Sequence, residues 1–163
     1  MSLGSIKIAE HNGVYVIKME GDVRLTLCLA FDSFIENMLS RPGFCQVVFD
    51  LTKAQAIDST TLGLMAKTSI NASSHGCDLP VVVSTNASIT RLLVSMGFED
   101  IFHFEDEFHR VDGVEEGAPL PSNGSASEYQ IRDKVLEAHR LLMEMNETNR
   151  DTFQELVDSL QDD

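Results

Sequence analysis

The chain has 163 residues, with 26 acidic and 12 basic side chains and a formal net charge of -14. Nucleic-acid binding by counterion release and adhesion to an anionic membrane both need a basic face, so the composition argues against both. Apolar residues make up 43%, enough for one core, and the length suits one domain plus an appendage.

No stretch approaches the roughly 18 apolar residues of a membrane span. The first residues lack the charged start and apolar run of a secretory signal. Three cysteines, Cys28, Cys45 and Cys77, fit no zinc or redox spacing. Two of them lie in apolar stretches, which suits buried free thiols in a reducing cytoplasm. The expected location is therefore cytoplasmic.

Ile6 and Ile8, then Val14 and Val16, alternate with other residues around Asn12-Gly13. Asn-Gly supplies the two positive-φ positions of a tight hairpin, so the first two strands should pair antiparallel. Leu27, Phe31, Phe34 and Met38 recur every three or four residues and predict a helix, stopped by Arg41-Pro42-Gly43. Val47-Val48-Phe49 reads as a strand covered on both faces. It should end at Asp50 and lead into a loop over 52–61. A second helix, beginning near Thr60, runs through Leu62, Met65, Ser69 and Ala72. Val81-Val82-Val83 is another buried strand. Ile89, Leu92, Leu93 and Met96 form a third helix, stopped by Gly97. Ile101, Phe102 and Phe104 make a short last strand. The order β-β-α-β-α-β-α-β predicts an α/β fold with a mixed sheet covered by helices.

Charge is uneven. Residues 1–104 hold 10 acidic and 7 basic side chains, residues 105–163 hold 16 and 5. Residues 111–127 are rich in Gly, Pro and Ser and read as linker, because they cannot bury enough apolar area to offset their ordering entropy. The expected organisation is a domain over 4–106, a flexible linker over 107–127 and one long acidic amphipathic helix over 128–163. On that plan the helix could be removed without unfolding the rest.

The helix carries a heptad seam, Ile131, Val135, Ala138, Leu142, Met145 and Asn149, and continues through Phe153, Leu156 and Leu160 after a one-residue slip. Leu136, His139 and Met143 widen the stripe. Such a stripe must be covered, by its own domain, a second copy or a partner. In the last case Val135, Leu142 and Met145 are the candidate anchors for a second protein.

Chemical motifs are scarce. There is no Gly-x-Ser-x-Gly elbow, no phosphate loop and no Gly-x-Gly-x-x-Gly. His75 with Cys77, and His103 with His109, are poor metal spacings, so neither metal nor cofactor is expected. A triad from Asp58, Ser59 and a distant histidine would be coincidence, and none of the five histidines has an evident role.

One segment stands out. Asp58-Ser59-Thr60-Thr61 puts four hydroxyl or carboxylate side chains just before a helix. Capping explains one or two of them, and loops at strand ends of open α/β sheets commonly carry function.

From Val47-Val48-Phe49-Asp50-Leu51 to Ile57-Asp58-Ser59-Thr60-Thr61-Leu62-Gly63, the sequence resembles a STAS domain, and more narrowly the bacterial anti-sigma factor antagonists. Asp58, Ser59, Thr60, Leu62 and Gly63 match their signature, while Thr61 stands where glycine is usual. Ile89–Phe98 resembles the family's third helix. The resemblance covers about residues 4–106.

It implies a regulatory protein with no catalytic residues. A serine kinase, often the anti-sigma factor itself, would phosphorylate Ser59, and a serine phosphatase would reverse it. The unphosphorylated form would bind the anti-sigma factor and free the sigma factor for transcription. The expected partner face comprises Lys53, Gln55, Asp58, Ser59, Thr60, Thr61 and Lys67. A small-ligand sensor of the same fold is the alternative, and an enzyme is a third reading resting on the polar loop.

Overall fold

The computed structural model describes residues 3–107 and 117–161. His109 and residues 108–116 of the expected linker lie outside the described residues. The elements are β1 (Ser5–His11), β2 (Val14–Val23), α1 (Cys28–Ser40), β3 (Gln46–Ile57), α2 (Ser59–Ser74), β4 (Val81–Val83), α3 (Ala87–Ser95), β5 (His103–Glu105), β6 (Ala118–Pro119), α4 (Glu128–Met145) and α5 (Glu147–Gln161).

They build one sheet in the order β5-β4-β3-β2-β1-β6. The hairpin forms as its turn chemistry requires: Asn12 and Gly13 have φ of 51° and 85°, and β1 and β2 pair antiparallel from Ser5↔Glu20 to His11↔Val14. β2, β3, β4 and β5 run parallel to one another. The core contains Ile17, Met19, Phe49, Leu51 and Val82 from the sheet and Phe31, Ile35, Leu62, Met65 and Leu93 from the helices. Phe49 meets Phe31 and Phe102 edge-on.

Four expectations need correction. β3 does not stop at Asp50. It pairs with β2 as far as Val23↔Ile57 through two register shifts, so most of the expected loop 52–61 is strand. Asp50 Oδ1 accepts from the Thr52 N–H and hydroxyl, a local turn signal overridden by the long partner strand. The last strand starts later than expected: Ile101 and Phe102 precede β5, and Phe102 is buried against Phe98 and Phe49. Of the cysteines only Cys28 is buried; Cys77 is half-buried and Cys45 is exposed.

The fourth correction concerns the tail, which is two helices. Asn146 is extended, with φ -163° and ψ 166°, and its Oδ1 accepts from the Asn149 N–H at 2.8 Å, as a helix N-cap does. Asn149 Nδ2 donates to the carbonyls of Leu142 and Met96. Past the break the buried face of α5 is Asn149, Phe153 and Val157, and the expected seam residue Leu156 is exposed. Among the described residues no helix is long and apolar enough to cross a membrane.

The segment before α4 is held as well. β6 pairs with β1 through Lys7↔Pro119 and Ile8↔Ala118. Asn123 donates Nδ2–H to the Leu25 carbonyl and accepts from the Leu29 N–H. Ala138, Leu142 and Phe153 of the tail belong to the same core cluster as the sheet. Leu142→Ala should therefore cost about 2–5 kcal/mol and lower the midpoint of one cooperative denaturant transition. A transition of the sheet that is indifferent to Leu142 would mean that α4 and α5 unfold separately.

Candidate functional site

The site is built around the start of α2. Asp58 caps it. Its Oδ1 accepts from the Thr61 N–H at 2.9 Å, and its Oδ2 from the Leu25 N–H at 2.7 Å, so one carboxylate ties α2 to the single 3₁₀ turn Leu25–Leu27 before α1. Thr60 and Thr61 are buried. Because Asp58 does the capping, the hydroxyl of Ser59, first residue of α2, is left for another partner.

That partner is His139 of α4. Ser59 Oγ and His139 Nε2 are 2.7 Å apart, and His139 Nδ1 lies 2.7 Å from the Val135 carbonyl. A carbonyl only accepts, so Nδ1 carries the proton, and Nε2 accepts from the Ser59 hydroxyl. Phe153 of α5 meets the imidazole edge-on, with ring centroids 5.0 Å apart. Burial pushes the His139 pKa below its ordinary value, against the opposing pull of the Val135 carbonyl and the Asp58 charge. The pair resembles a nucleophile with its base. However, the third group is a carbonyl where a triad has a carboxylate, and α4 sits on the hydroxyl.

Ser59, Gly63 and Lys67 lie at i, i+4 and i+8, one stripe along α2. All three positions face α4. A Cβ on Gly63 would stand 2.3 Å from the Ala138 carbonyl oxygen and 2.7 Å from its Cβ, so the two helices touch backbone to backbone there. Lys67 Nζ donates to Asp32 of α1 at 2.7 Å, Glu36 at 3.2 Å and Glu137 at 2.6 Å. Lys134 Nζ closes the ring, reaching Asp32 at 2.6 Å and Glu137 at 2.7 Å. Burial alone would lower the Lys67 pKa; its hydrogen bonds to Asp32 and Glu137 outweigh that and raise it. Glu137 shows the converse: burial raises it, the two lysines win, and its pKa falls.

Of the expected partner-face residues, the structure brings Asp58, Ser59, Thr60 and Thr61 together at the start of α2. Lys53 and Gln55 are exposed on the far part of β3, while Lys67 is buried inside the ion network under α4. In the tail, Leu142 is buried, and Val135 and Met145 are half-buried. Sequence reasoning missed His139, Lys134 and Glu137. A histidine within an apolar stripe was the available signal, but nothing in the sequence pairs it with Ser59. Among the described residues no group of His, Cys, Asp and Glu could hold a metal ion.

Residues 5–111 match the STAS domain. The chain belongs to the STAS-domain family. Among the solved structures similar to this chain, two share the fold as follows. One, from Thermotoga maritima, is assigned as an anti-sigma factor antagonist; it is 19% identical with a TM-score of 0.56, over 63% of this chain and 87% of that one. The other is an anti-sigma factor antagonist from Mycobacterium paratuberculosis, 17% identical with a TM-score of 0.53, over 65% of this chain and 88% of that one. No curated protein sequence matches this chain significantly.

Two predictions follow from the geometry of this STAS domain. Gly63→Ala removes an unfavourable helix residue, a gain of about 1 kcal/mol by propensity alone. Against the Ala138 backbone the overpacking, about 1–3 kcal/mol, should win, and the denaturant midpoint should fall. A rise would mean that α4 yields freely.

A depressed histidine pKa favours the neutral form in the folded chain. Its contribution is complete above the unfolded value near 6.5 and is lost as pH falls below it. Stability should drop between pH 7.5 and 5.5, and His139→Gln should lose most of that slope. Denaturant midpoints across this range check it; an unchanged slope in His139→Gln would place the dependence elsewhere.

Proposed function

We propose that this STAS domain is an anti-sigma factor antagonist that works by partner switching in the cytoplasm and has no enzymatic activity of its own. The observation that carries the reading is the division of labour at the start of α2. Asp58 satisfies the helix terminus, and the Ser59 hydroxyl is surplus to capping. A helix N-terminus also offers free N–H groups and the positive end of the dipole to an anion. The family membership and the names of the two similar structures support the same function.

On this reading a serine kinase phosphorylates Ser59 and a serine phosphatase restores the hydroxyl. The unphosphorylated chain binds the anti-sigma factor through a face around Asp58, Ser59, Thr60 and Thr61, with Lys53 and Gln55 toward its rim and Lys67 reached only where α4 gives way. Phosphorylation adds roughly -1.5 to -2 charges beside Asp58. Burying such a charge unpaired under a docked partner costs several kcal/mol, at about 1.4 kcal/mol per tenfold in affinity.

Ser59→Ala should bind the anti-sigma factor at least as well as the unphosphorylated wild type, and Ser59→Asp at least tenfold more weakly. Binding of the purified variants, with phosphopeptide mapping after exposure to the kinase, checks both. Phosphate on Thr60 or Thr61 instead, or equal binding by the two variants, would sink the reading.

A further inference from the structure

We propose that α4 and α5 form an intramolecular lid over Ser59, so that closure of the lid and phosphorylation of Ser59 exclude each other, and the closed lid also withholds the α2 face from a protein partner. This deepens the reading of Ser59 as the phosphate acceptor and rests on it.

The argument is first one of space. Oγ of Ser59 is in hydrogen-bond contact with His139 Nε2, 2.7 Å away. A phosphorus bonded to Oγ, with three further oxygens, needs the volume that the imidazole fills. The imidazole cannot swing aside. Its Nδ1–H is held by the Val135 carbonyl, Phe153 lies against its ring, and the residue is only 2% exposed. One turn further along α2, Gly63 is in backbone contact with Ala138, so α4 cannot slide closer or tilt inward. The lid must lift as a body.

The second argument is charge. The groups around the stripe are Asp58 on the α2 cap, Asp32 and Glu36 on α1, and Glu137 on α4. The two ammoniums of the stripe, Lys67 and Lys134, stand at its other end and are already shared between Asp32 and Glu137. A phosphate on Ser59 would take a lysine only by stripping a buried carboxylate of its partner, which is costly.

The third is the hinge. Asn123 is pinned to Leu25 before α1 and to Leu29 in its first turn, and α4 starts at the Ser127 capping box. Between them stand only Gly124, Ser125 and Ala126, with Gly124 in the left-handed region at φ 60° and open space around it. Rotation there would lift α4 and α5 while β6 and Asn123 stay in place.

In the phosphorylation step, Oγ of Ser59 bonds to the γ-phosphorus of a nucleoside triphosphate and the β–γ bridge breaks. The nucleoside diphosphate leaves, and the hydroxyl proton passes to the kinase's base. An in-line donor has no approach while Nε2 occupies the hydroxyl. By linkage, whatever the closed lid takes from phosphorylation, phosphate on Ser59 takes from closure.

The 163-residue chain tests this in two ways. In the first, hydrogen exchange is measured on the purified wild type, Ser59→Ala and Ser59→Glu. Ser59→Glu should speed exchange over residues 134–142 at least tenfold while the sheet keeps its protection; Ser59→Ala should stay within about threefold of wild type. If α4 is equally protected in Ser59→Glu, the lid tolerates charge at Ser59 and the inference is overturned. In the second, extract of the source cells plus ATP serves as the phosphate donor, and the Ser59 phosphopeptide is followed by mass spectrometry. Ala138→Arg, which wedges α4 from Gly63, should gain phosphate at least tenfold faster than wild type. Lys134→Glu opens the lid from its surface edge, should show the same, and stands in if Ala138→Arg does not fold. Equal rates overturn the lid but leave Ser59 as the acceptor. Phosphate on none of the chains sinks the acceptor reading, and the hydrogen-exchange result still decides the lid.

Discussion

The backbone contact between Gly63 of α2 and Ala138 of α4 is the constraint on which this molecule's arrangement turns. Only glycine on one helix and a small residue on the other let the axes come so near. That approach brings His139 onto Ser59 at one end of the stripe, and Lys134 and Glu137 onto Lys67 at the other. Removing the close approach would lengthen every polar contact on the stripe at once.

The polar contacts add specificity more than net stability. A hydrogen bond such as Ser59–His139 contributes about 0.5–1.5 kcal/mol net, and a buried ion network repays its desolvation only when its geometry is good. Here Asp32 and Glu137 each bridge both lysines, a closed ring that fits only one register of α4 on α2. Apolar burial of Ala138, Leu142, Phe153 and Val157 supplies the attraction, and the ring selects where it acts. The tail's excess acidity faces outward: Asp133, Glu144, Glu147, Asp151 and Glu155 are all exposed.

The junction between the tail helices obeys the same logic. Asn146 and Asn149 both donate to the Met96 carbonyl at the end of α3. Gly97 has φ 87°, and a Cβ there would meet Asn146 Nδ2 at 2.7 Å. The turn after α3 is thus shaped to receive the turn between α4 and α5. Phe153 then folds back on the His139 ring, so α5 buttresses the histidine that α4 presents.

Sequence alone determined most of the sheet-and-helix pattern over the first hundred residues, because apolar periodicity and turn residues are local signals. Asn12-Gly13 specified the hairpin, Val81-Val82-Val83 the buried strand, and Asp58 through Thr61 the polar start of α2. It also placed Ser59 in its family context and showed that the tail had an apolar stripe needing cover. Tertiary structure decided what depends on residues far apart in the chain. The extent of β3 was set by a ten-residue partner strand, which overrode local turn chemistry after Asp50. The break at Asn146 was set by hydrogen bonds between the tail's two asparagines and a carbonyl some fifty residues earlier. The pairing of Ser59 with His139 joins positions 80 residues apart. Periodicity shows that a face is apolar, but what covers that face is fixed only when distant helices approach.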